Sequence, residues 1–320
     1  MQHFFKISLL FLLTLPTFSK EIKPAFILKS KGLVNDFVLD GLELYVANNE
    51  GSVEIFNIEK EEKVGEIFID PLLTTKDVWT NVKILSVDRY KGKTLIVSTA
   101  KDGYRNVWID DGKKLTLLIN TKKKSTVKEA RFVNEKDFVY GTLGYDIARY
   151  TLNDSYHAYK NQIEESAFSD MVLSEDKTTM ITASESGQVT VIDVKSGKVL
   201  KQPKPLNLDN IYKLDYKNGN IITAGQDRRV GVYPKNGEPY YLKSKFLVYC
   251  VGLSPSGKIG IYSANENNDL QLFNVSTGKK TDILTGHDSV PSTIKFFNED
   301  GFFSAGYGYR IYYWNLKGSK

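Results

Sequence analysis

The chain has 320 residues, of which 41% are hydrophobic and 25% are charged, a balance that excludes a disordered chain and a polytopic membrane protein. Three histidines and one cysteine are too few for a His/Cys metal cage, a disulfide framework or c-type haem attachment. The net charge of +5 is spread along the chain without a long basic block, which argues against a nucleic-acid-binding arm. Aromatic residues make up 12% of the chain, a bias that favours β-strands.

The first residues have the pattern of a secretory signal peptide. Lys6 precedes an apolar run from Ile7 to Leu15, and small residues at Thr17 and Ser19 mark a cleavage site. The run is too short to span a bilayer, which takes about 20 apolar residues. We therefore predict a signal peptide over residues 1–19, cleaved after Ser19, and one exported domain over residues 20–320 that lies outside the inner membrane.

A repeat organises the rest of the chain. Seven segments share a small residue, a polar turn, alternating apolar residues and a large anchor residue. The anchors are Phe56, Trp108, Tyr150, Ile192, Tyr233, Phe273 and Trp314. Five of the six intervals between anchors are 40–42 residues long, and the first is 52. Alternation with period two indicates strands, and four short strands in about 40 residues make one propeller blade. We predict an all-β fold, a single seven-bladed β-propeller.

The two ends of the chain predict how the ring closes. The seventh repeat stops a few residues after its third strand, while residues 25–28 form an apolar segment that precedes the first blade. An open sheet edge is a liability that a closed ring removes. We therefore expect this N-terminal strand to be the fourth strand of the seventh blade.

Short motifs within the repeats carry a family resemblance. A Gly-His dipeptide ends at His287, and Trp314 is followed by Asn. These motifs and the period resemble the WD40 family, which has Gly-His and Trp-Asp at corresponding places. The family's aspartate that bonds the imidazole is matched in the fifth repeat by Asp227, but Gly308 stands there in the seventh. The resemblance implies structural roles for Asp227, Trp108 and Trp314, and a His287 that lacks its usual partner.

Two stretches carry a narrower resemblance, residues 224–234 and residues 246–259. In an exported single propeller of this length, they are similar to the WD-repeat accessory proteins (NapL type) of periplasmic nitrate reductase operons in epsilonproteobacteria. The resemblance implies a non-catalytic helper of the nitrate reductase system. We expect this protein to be periplasmic and monomeric and to bind no cofactor. Its partner would be a protein, with components of the nitrate reductase as candidates, and its role maturation or electron supply.

No catalytic motif is evident in the sequence. His157 and His287 are the histidines that remain after removal of the signal peptide, and neither lies in a nucleophile motif. We expect His157 on an outer strand and Cys250 in the core. The alternative is a lactonase-like or quinoprotein-like propeller, an enzyme or cofactor carrier, although one cysteine and two repeat tryptophans argue against it.

The innermost strands of a propeller line its central channel, and their alignment places seven ionisable residues near the axis. They are Asp36, Glu129, Arg131, Asp170, Lys213, Asp215 and Lys295. Isolated charges are costly to bury, so we expect mutual ion pairing. A small anion in the channel, or a metal ion held by Asp36, Glu129 and Asp170, is the alternative.

Long loops on one face predict where a partner binds. The first interval contains an insertion of about ten residues, residues 70–81, which includes Trp79. We expect this face to carry eight partner-binding residues: Trp79, Arg228, Arg229, His287, Asp288, Tyr307, Tyr309 and Arg310. Tyr, Trp and Arg are enriched at interface hot spots, which favours an interaction platform.

Overall fold

The computed structural model describes residues 21–73, 77–153 and 156–317. The predicted signal peptide lies outside these residues. Seven antiparallel sheets form a ring in which the innermost strand of each sheet packs against that of the next. The described residues contain two short 3-10 turns, Lys101–Gly103 and Thr121–Lys123, and no α-helix. The prediction of an all-β, seven-bladed ring is confirmed.

Within each blade, the chain runs from the channel outward. The first strands of the described residues are β1 (Glu21–Ile22) and β2 (Phe26–Lys29). Blade 1 contains β3 (Val34–Asp40), β4 (Glu43–Asn48), β5 (Ser52–Asn57) and β6 (Glu62–Phe68). A small hairpin of β7 (Leu72–Leu73) and β8 (Trp79–Thr80) follows. Blade 2 contains β9 (Ile84–Tyr90), β10 (Lys93–Thr99), β11 (Arg105–Asp110) and β12 (Leu115–Ile119).

The next three blades repeat this order. Blade 3 contains β13 (Val127–Phe132), β14 (Asp137–Thr142), β15 (Asp146–Thr151) and β16 (Tyr156–Gln162). Blade 4 contains β17 (Phe168–Leu173), β18 (Thr179–Ser184), β19 (Val189–Asp193) and β20 (Val199–Lys201). Blade 5 contains β21 (Ile211–Lys217), β22 (Asn220–Gly225), β23 (Arg229–Tyr233) and β24 (Tyr240–Lys243).

The last two blades include the N-terminal strands β1 and β2. Blade 6 contains β25 (Val251–Leu253), β26 (Ile259–Ser263), β27 (Leu270–Asn274) and β28 (Lys280–Leu284), with β1 added at its outer edge. Blade 7 contains β29 (Pro291–Asn298), β30 (Gly301–Gly306) and β31 (Arg310–Asn315), with β2 as its outermost strand.

The hydrophobic core is divided among the interfaces between blades. The described residues form seven buried clusters, and each joins side chains of two neighbouring sheets. Between blades 2 and 3, for example, Leu95 and Val97 pack with Phe132 and Phe138. Period-two alternation supplies each blade with apolar residues on both faces, so neighbouring sheets bury each other. The Cys250 side chain is fully buried in the cluster between blades 6 and 7, as predicted.

The N-terminal strand closes the ring, as the sequence predicts. Strand β2 pairs antiparallel with β31, with Phe26 opposite Tyr313 and Leu28 opposite Ile311. The Phe26 and Tyr313 rings stack at a centroid distance of 4.8 Å. Leu28 is buried in the cluster between blades 7 and 1. The first residues of the domain therefore complete its last sheet.

The sequence analysis missed a second N-terminal pairing. Strand β1 lies parallel to β28, with Ile22 opposite Leu284, and the Ile22 side chain is buried in the cluster between blades 6 and 7. A two-residue strand has no detectable periodicity, so the sequence contains no signal for it. The start of the chain therefore holds two neighbouring blades together.

We predict that Leu28→Ala lowers the free energy of unfolding by about 2–5 kcal/mol, because it leaves a cavity at the closure. The adjacent Ile27→Ala is the matched control, because Ile27 is 49% exposed and Leu28 only 3%; its effect should stay below about 1 kcal/mol. Urea unfolding followed by circular dichroism measures both.

Deletion of residues 20–31 should abolish stable folding, and a monomeric deletion variant with an unchanged melting transition would refute the closure.

Candidate functional site

The two ends of the ring differ in their loops. We call the end formed by the loops after the second and fourth strands of each blade the upper face; it includes residues 69–73, 77–83, 226–228, 285–290 and 307–309. The lower face is formed by the loops after the first and third strands. All eight residues predicted to bind a partner lie at the upper end of the ring. The insertion is also there, where Leu73 pairs with Trp79 in the small hairpin; residues 74–76 lie outside the described residues.

Large apolar side chains protrude from the upper face. The three most exposed large apolar side chains of the described residues are Leu208 (71%), Trp79 (68%) and Tyr307 (67%), and all three lie on this face. Tyr309, in the same loop as Tyr307, is half exposed. Leu208 was missed by the sequence analysis, because an isolated leucine in a loop carries no periodic signal. The upper face therefore presents apolar and aromatic groups to solvent from several separate loops.

His287 lies beneath the upper face, so its predicted role in partner binding is wrong. The side chain is buried, and its Nε2 lies 2.7 Å from Ser304 Oγ, which also accepts a 2.7 Å hydrogen bond from Trp314 Nε1. Its Nδ1 has no hydrogen-bond partner among the described residues, as the glycine at position 308 predicts. His287 and Trp314 are therefore structural residues of blade 7.

The charged residues predicted on the upper face differ in the contacts that they make with other residues of the protein. Arg310 forms an ion pair with Asp288, whose carboxylate also accepts a 2.7 Å hydrogen bond from the Tyr312 hydroxyl. Arg228 is exposed, in a left-handed turn with φ of 64°. Arg229 stacks on the Tyr241 ring at 4.4 Å and donates to the Leu206 carbonyl at 3.0 Å, so it also has a structural role.

Asp227 stabilises blade 5 through an asparagine. Its Oδ1 accepts a 3.0 Å hydrogen bond from Asn207 Nδ2, and its Oδ2 accepts one of 2.8 Å from the backbone N–H of Leu208. Asn207 Oδ1 in turn accepts a 2.6 Å bond from the Thr223 hydroxyl. Asn207 is buried and occupies the place that His287 has in blade 7.

Trp108 has a structural contact in blade 2, where its Nε1 donates a hydrogen bond of 3.0 Å to Ser98 Oγ.

The structure brings the seven predicted channel residues together around one constriction. They are Asp36, Glu129, Arg131, Asp170, Lys213, Asp215 and Lys295, and the free volume between them is about 10 Å³. A space of that size holds about one water molecule. The middle of the channel is therefore filled by charged side chains.

Ion pairs fill the constriction. The Arg131 guanidinium contacts Glu129 and lies 3.4 Å from Asp36, while Lys213 Nζ lies 2.8 Å from Asp170. Burial alone would raise the pKa of Asp170, but Lys213 and the backbone N–H of Leu214 hold it below the usual value. Burial raises the pKa of Glu129 despite the opposing charge of Arg131.

Carboxylates of the inner strands also bind the backbone of the next blade. Five carboxylates, one from each of blades 1 to 5, accept hydrogen bonds of 2.7–3.2 Å from backbone N–H groups in blades 2 to 6. The donor and acceptor pairs are Val87 with Asp36, Phe132 with Asp88, Met171 with Glu129, Leu214 with Asp170, and Leu253 with Asp215. Asp88 was missed in the sequence, although alternation along β9 places it on the buried side.

The channel carboxylates therefore already bind side chains and backbone N–H groups of the protein. Among the described residues, no group of three or more His, Cys, Asp or Glu side chains is placed to hold a metal ion. His157 lies on the outer strand β16, as expected, and its Nε2 is 2.6 Å from the Tyr140 hydroxyl. In the part of the chain that the structure covers, no helix is long and apolar enough to cross a membrane.

Comparison with known proteins identifies the fold. The β-propeller domain of Cps50 (Swd1) from Myceliophteria thermophila superimposes with a TM-score of 0.72 over 91% of this chain and 98% of that domain, at 13% sequence identity. The chain has the fold of a seven-bladed β-propeller. No family model matches its sequence.

One curated protein shares detectable sequence similarity with the propeller. The Periodic tryptophan protein 2 homolog of Dictyostelium discoideum is 23% identical over 176 residues, which are 52% of this chain and 18% of that protein. The propeller therefore spans about a fifth of this relative's length.

We predict that His287 makes the propeller less stable in acid. Burial lowers its pKa from 6.5 to about 4, so the unfolded chain takes up a proton at a higher pH than the folded protein does. The stability due to the neutral imidazole is complete above the unfolded pKa and falls as the pH drops toward 4, by about 2 kcal/mol between about pH 7 and about pH 4.5.

Urea unfolding at both pH values should show this extra loss in the natural protein and not in His287→Gln. His157→Gln is the comparison variant: desolvation also lowers the pKa of His157, but this exposed residue is shifted less than His287, so its replacement should remove a smaller part of the loss. Parallel pH profiles for the natural protein and His287→Gln would contradict the prediction.

Proposed function

We propose that this propeller is a non-catalytic scaffold that binds a protein partner through its upper face. The observation that carries the proposal is that Leu208, Trp79 and Tyr307, the three most exposed large apolar side chains of the described residues, all lie on this one face, in separate loops. Exposed apolar groups on a rigid framework are typical of interaction sites. Aromatic residues and arginine are also the types that contribute most to interface energy.

Further aromatic residues surround the upper mouth of the channel. The Tyr212 and Tyr249 rings stack with their centroids 5.3 Å apart, and Phe246 lies 6.2 Å from Tyr249. These rings come from the upper ends of blades 5 and 6, beside the loop that carries Tyr307 in blade 7. Preordered side chains lose little conformational entropy on binding. The mouth therefore extends the apolar surface toward the ring's axis.

The positions of the two histidines support the proposal of a scaffold over that of an enzyme. General acid–base catalysis needs a titratable side chain within reach of a substrate. His287 is buried under the upper face, and His157 lies on an outer strand away from the channel. The carboxylates of the constriction are held by Arg131, Lys213 and backbone N–H groups.

We propose further that the protein acts in the periplasm as a helper of the nitrate reductase, in its maturation or its electron supply. The sequence resemblance of residues 224–234 and 246–259 and the pattern of residues 1–19 support this assignment. The partner would then be a component of the nitrate reductase system, bound by a single copy of the propeller.

Binding to purified periplasmic nitrate reductase tests the upper face. We expect the triple variant Trp79→Ala, Leu208→Ala and Tyr307→Ala to bind at least about thirtyfold more weakly, the effect of losing one hot spot of about 2 kcal/mol. The control combines Tyr156→Ala, Val64→Ala and Leu200→Ala, which are exposed apolar residues of outer strands.

Titration calorimetry measures the affinity, and circular dichroism checks that both variants are folded. Equal binding by the natural protein and the upper-face variant would refute the proposed surface. Absence of binding by the natural protein would refute the nitrate reductase as its partner.

Fractionation of the native host tests export. We expect the protein in the periplasmic fraction with Lys20 as its first residue, because cleavage is predicted after Ser19. Leu10→Arg with Leu13→Arg should interrupt the apolar run and leave uncleaved protein in the cytoplasm. An uncleaved natural protein in the cytoplasm would contradict export.

A further inference from the structure

Below the constriction, the channel widens into a cavity of about 320 Å³ that is not part of the proposed upper-face site. It is lined by the lower ends of inner strands from blades 1, 2, 3, 4, 5 and 7. The volume is within the range of small-molecule sites, which are commonly about 300–1,000 Å³. The constriction above it, with a free volume of about 10 Å³, separates it from the upper face.

Apolar side chains form much of the cavity wall. Val38, Val172 and Phe296 line it from blades 1, 4 and 7 with partly exposed side chains, while the Phe37 and Phe132 side chains are fully buried in the cores between blades. Ligand sites in proteins typically combine such walls with a few polar groups that fix orientation. The polar groups of this cavity therefore determine which ligand it favours.

The carboxylates of the cavity already accept hydrogen bonds from backbone N–H groups. Asp88 accepts a 2.7 Å hydrogen bond from the Phe132 N–H, and Glu175 accepts one of 2.8 Å from the Asn218 N–H. Asp215 Oδ2 accepts a 2.8 Å bond from the N–H of Leu253. Burial raises the pKa of Asp88 and of Asp215, and the charges of Lys217 and Lys295 oppose that rise at Asp215.

Two lysines of the cavity have unused donors. Lys217 and Lys295 are partly buried, and neither ammonium group forms a hydrogen bond or an ion pair with the residues that the structure describes. Lys177, in contrast, donates to the Phe132 carbonyl at 2.9 Å and lies over the Tyr90 ring at 4.3 Å. An ammonium group is a hydrogen-bond donor only, so the unused polar capacity of the cavity suits an anion.

We propose that this cavity binds a small organic anion, a carboxylate with an apolar body. Its carboxylate interacts with Lys217 and Lys295, and its body packs against Val38, Val172 and Phe296. Charge-assisted hydrogen bonds favour an anion over its neutral analogue, and the apolar walls favour an organic acid over phosphate. The inference does not rest on the proposed function, because it concerns the opposite end of the channel.

Calorimetric titration of the full mature protein with three isosteric probes tests the charge. We expect saturable binding of benzoate, at least about tenfold tighter than that of neutral benzamide or cationic benzamidine. Inorganic phosphate should bind at least about tenfold more weakly than benzoate, because it has no apolar body. Failure of benzoate to bind at millimolar concentration, or equal affinity for any of the other three probes, would overturn the proposal.

Lysine variants then locate the site. Lys295→Met and Lys217→Met keep the aliphatic stem and should each weaken benzoate binding at least about tenfold. Lys136→Met is the matched control, because Lys136 is an exposed lower-face lysine outside the cavity, and it should leave the affinity unchanged. The two lysines are replaced separately, so that one variant still tests the site if the other misfolds. Circular dichroism confirms the fold of each variant. Benzoate affinity that neither variant changes would overturn the proposed site.

Discussion

Closure of the ring by the N-terminal segment is the constraint on which the rest of the structure depends. Each blade buries its apolar faces only against its two neighbours, so a missing sheet edge exposes two cores at once. Strand β2 supplies the last edge of blade 7, and β1 supplies an additional edge for blade 6. The backbone then crosses to blade 1, where the N–H of Val34 donates to the Gly308 carbonyl at 2.9 Å. One continuous segment thus links three blades.

The remaining interfaces are held by the carboxylates of the inner strands. These connect blades 1 to 6 in five successive steps, from Asp36 to Asp215, through backbone N–H groups. Among the described residues, no inner-strand carboxylate makes this bond from blade 6 to 7 or from blade 7 to 1; between blades 6 and 7, Glu299 in the turn after β29 accepts hydrogen bonds from the N–H and the hydroxyl of Ser256. At the first of these interfaces the backbone of Gly252 packs closely on Ile294, where a Cβ would lie 2.5 Å from a methyl group. The interfaces without the inner-strand carboxylate bond are those that the N-terminal segment spans. Polar bonds and strand pairing therefore complement each other around the ring.

The sequence predicted the features that depend on repetition. Anchor spacing defined seven blades, and an unassigned apolar segment at residues 25–28 defined the closure. The alignment of inner strands also collected the charged residues of the constriction, because register in a blade follows from period two. Features that depend on single side chains were missed. The burial of His287 follows from its contact with Ser304 in another strand, and the exposure of Leu208 follows from a loop conformation fixed by Asp227. Neither contact has a periodic signature.

The two ends of the channel differ in chemistry because the inner strands differ along their length. At the upper ends, aromatic residues such as Tyr212 and Tyr249 stack around the mouth. In the middle, Arg131 and Lys213 pair with carboxylates and fill the axis. At the lower ends, apolar side chains and two lysines without ion pairs surround an open cavity. Breaking a buried ion pair costs about 3–5 kcal/mol, so the constriction stays closed in the native state. A ligand in the lower cavity and a partner on the upper face therefore do not compete for space, because the charged residues of the constriction lie between them.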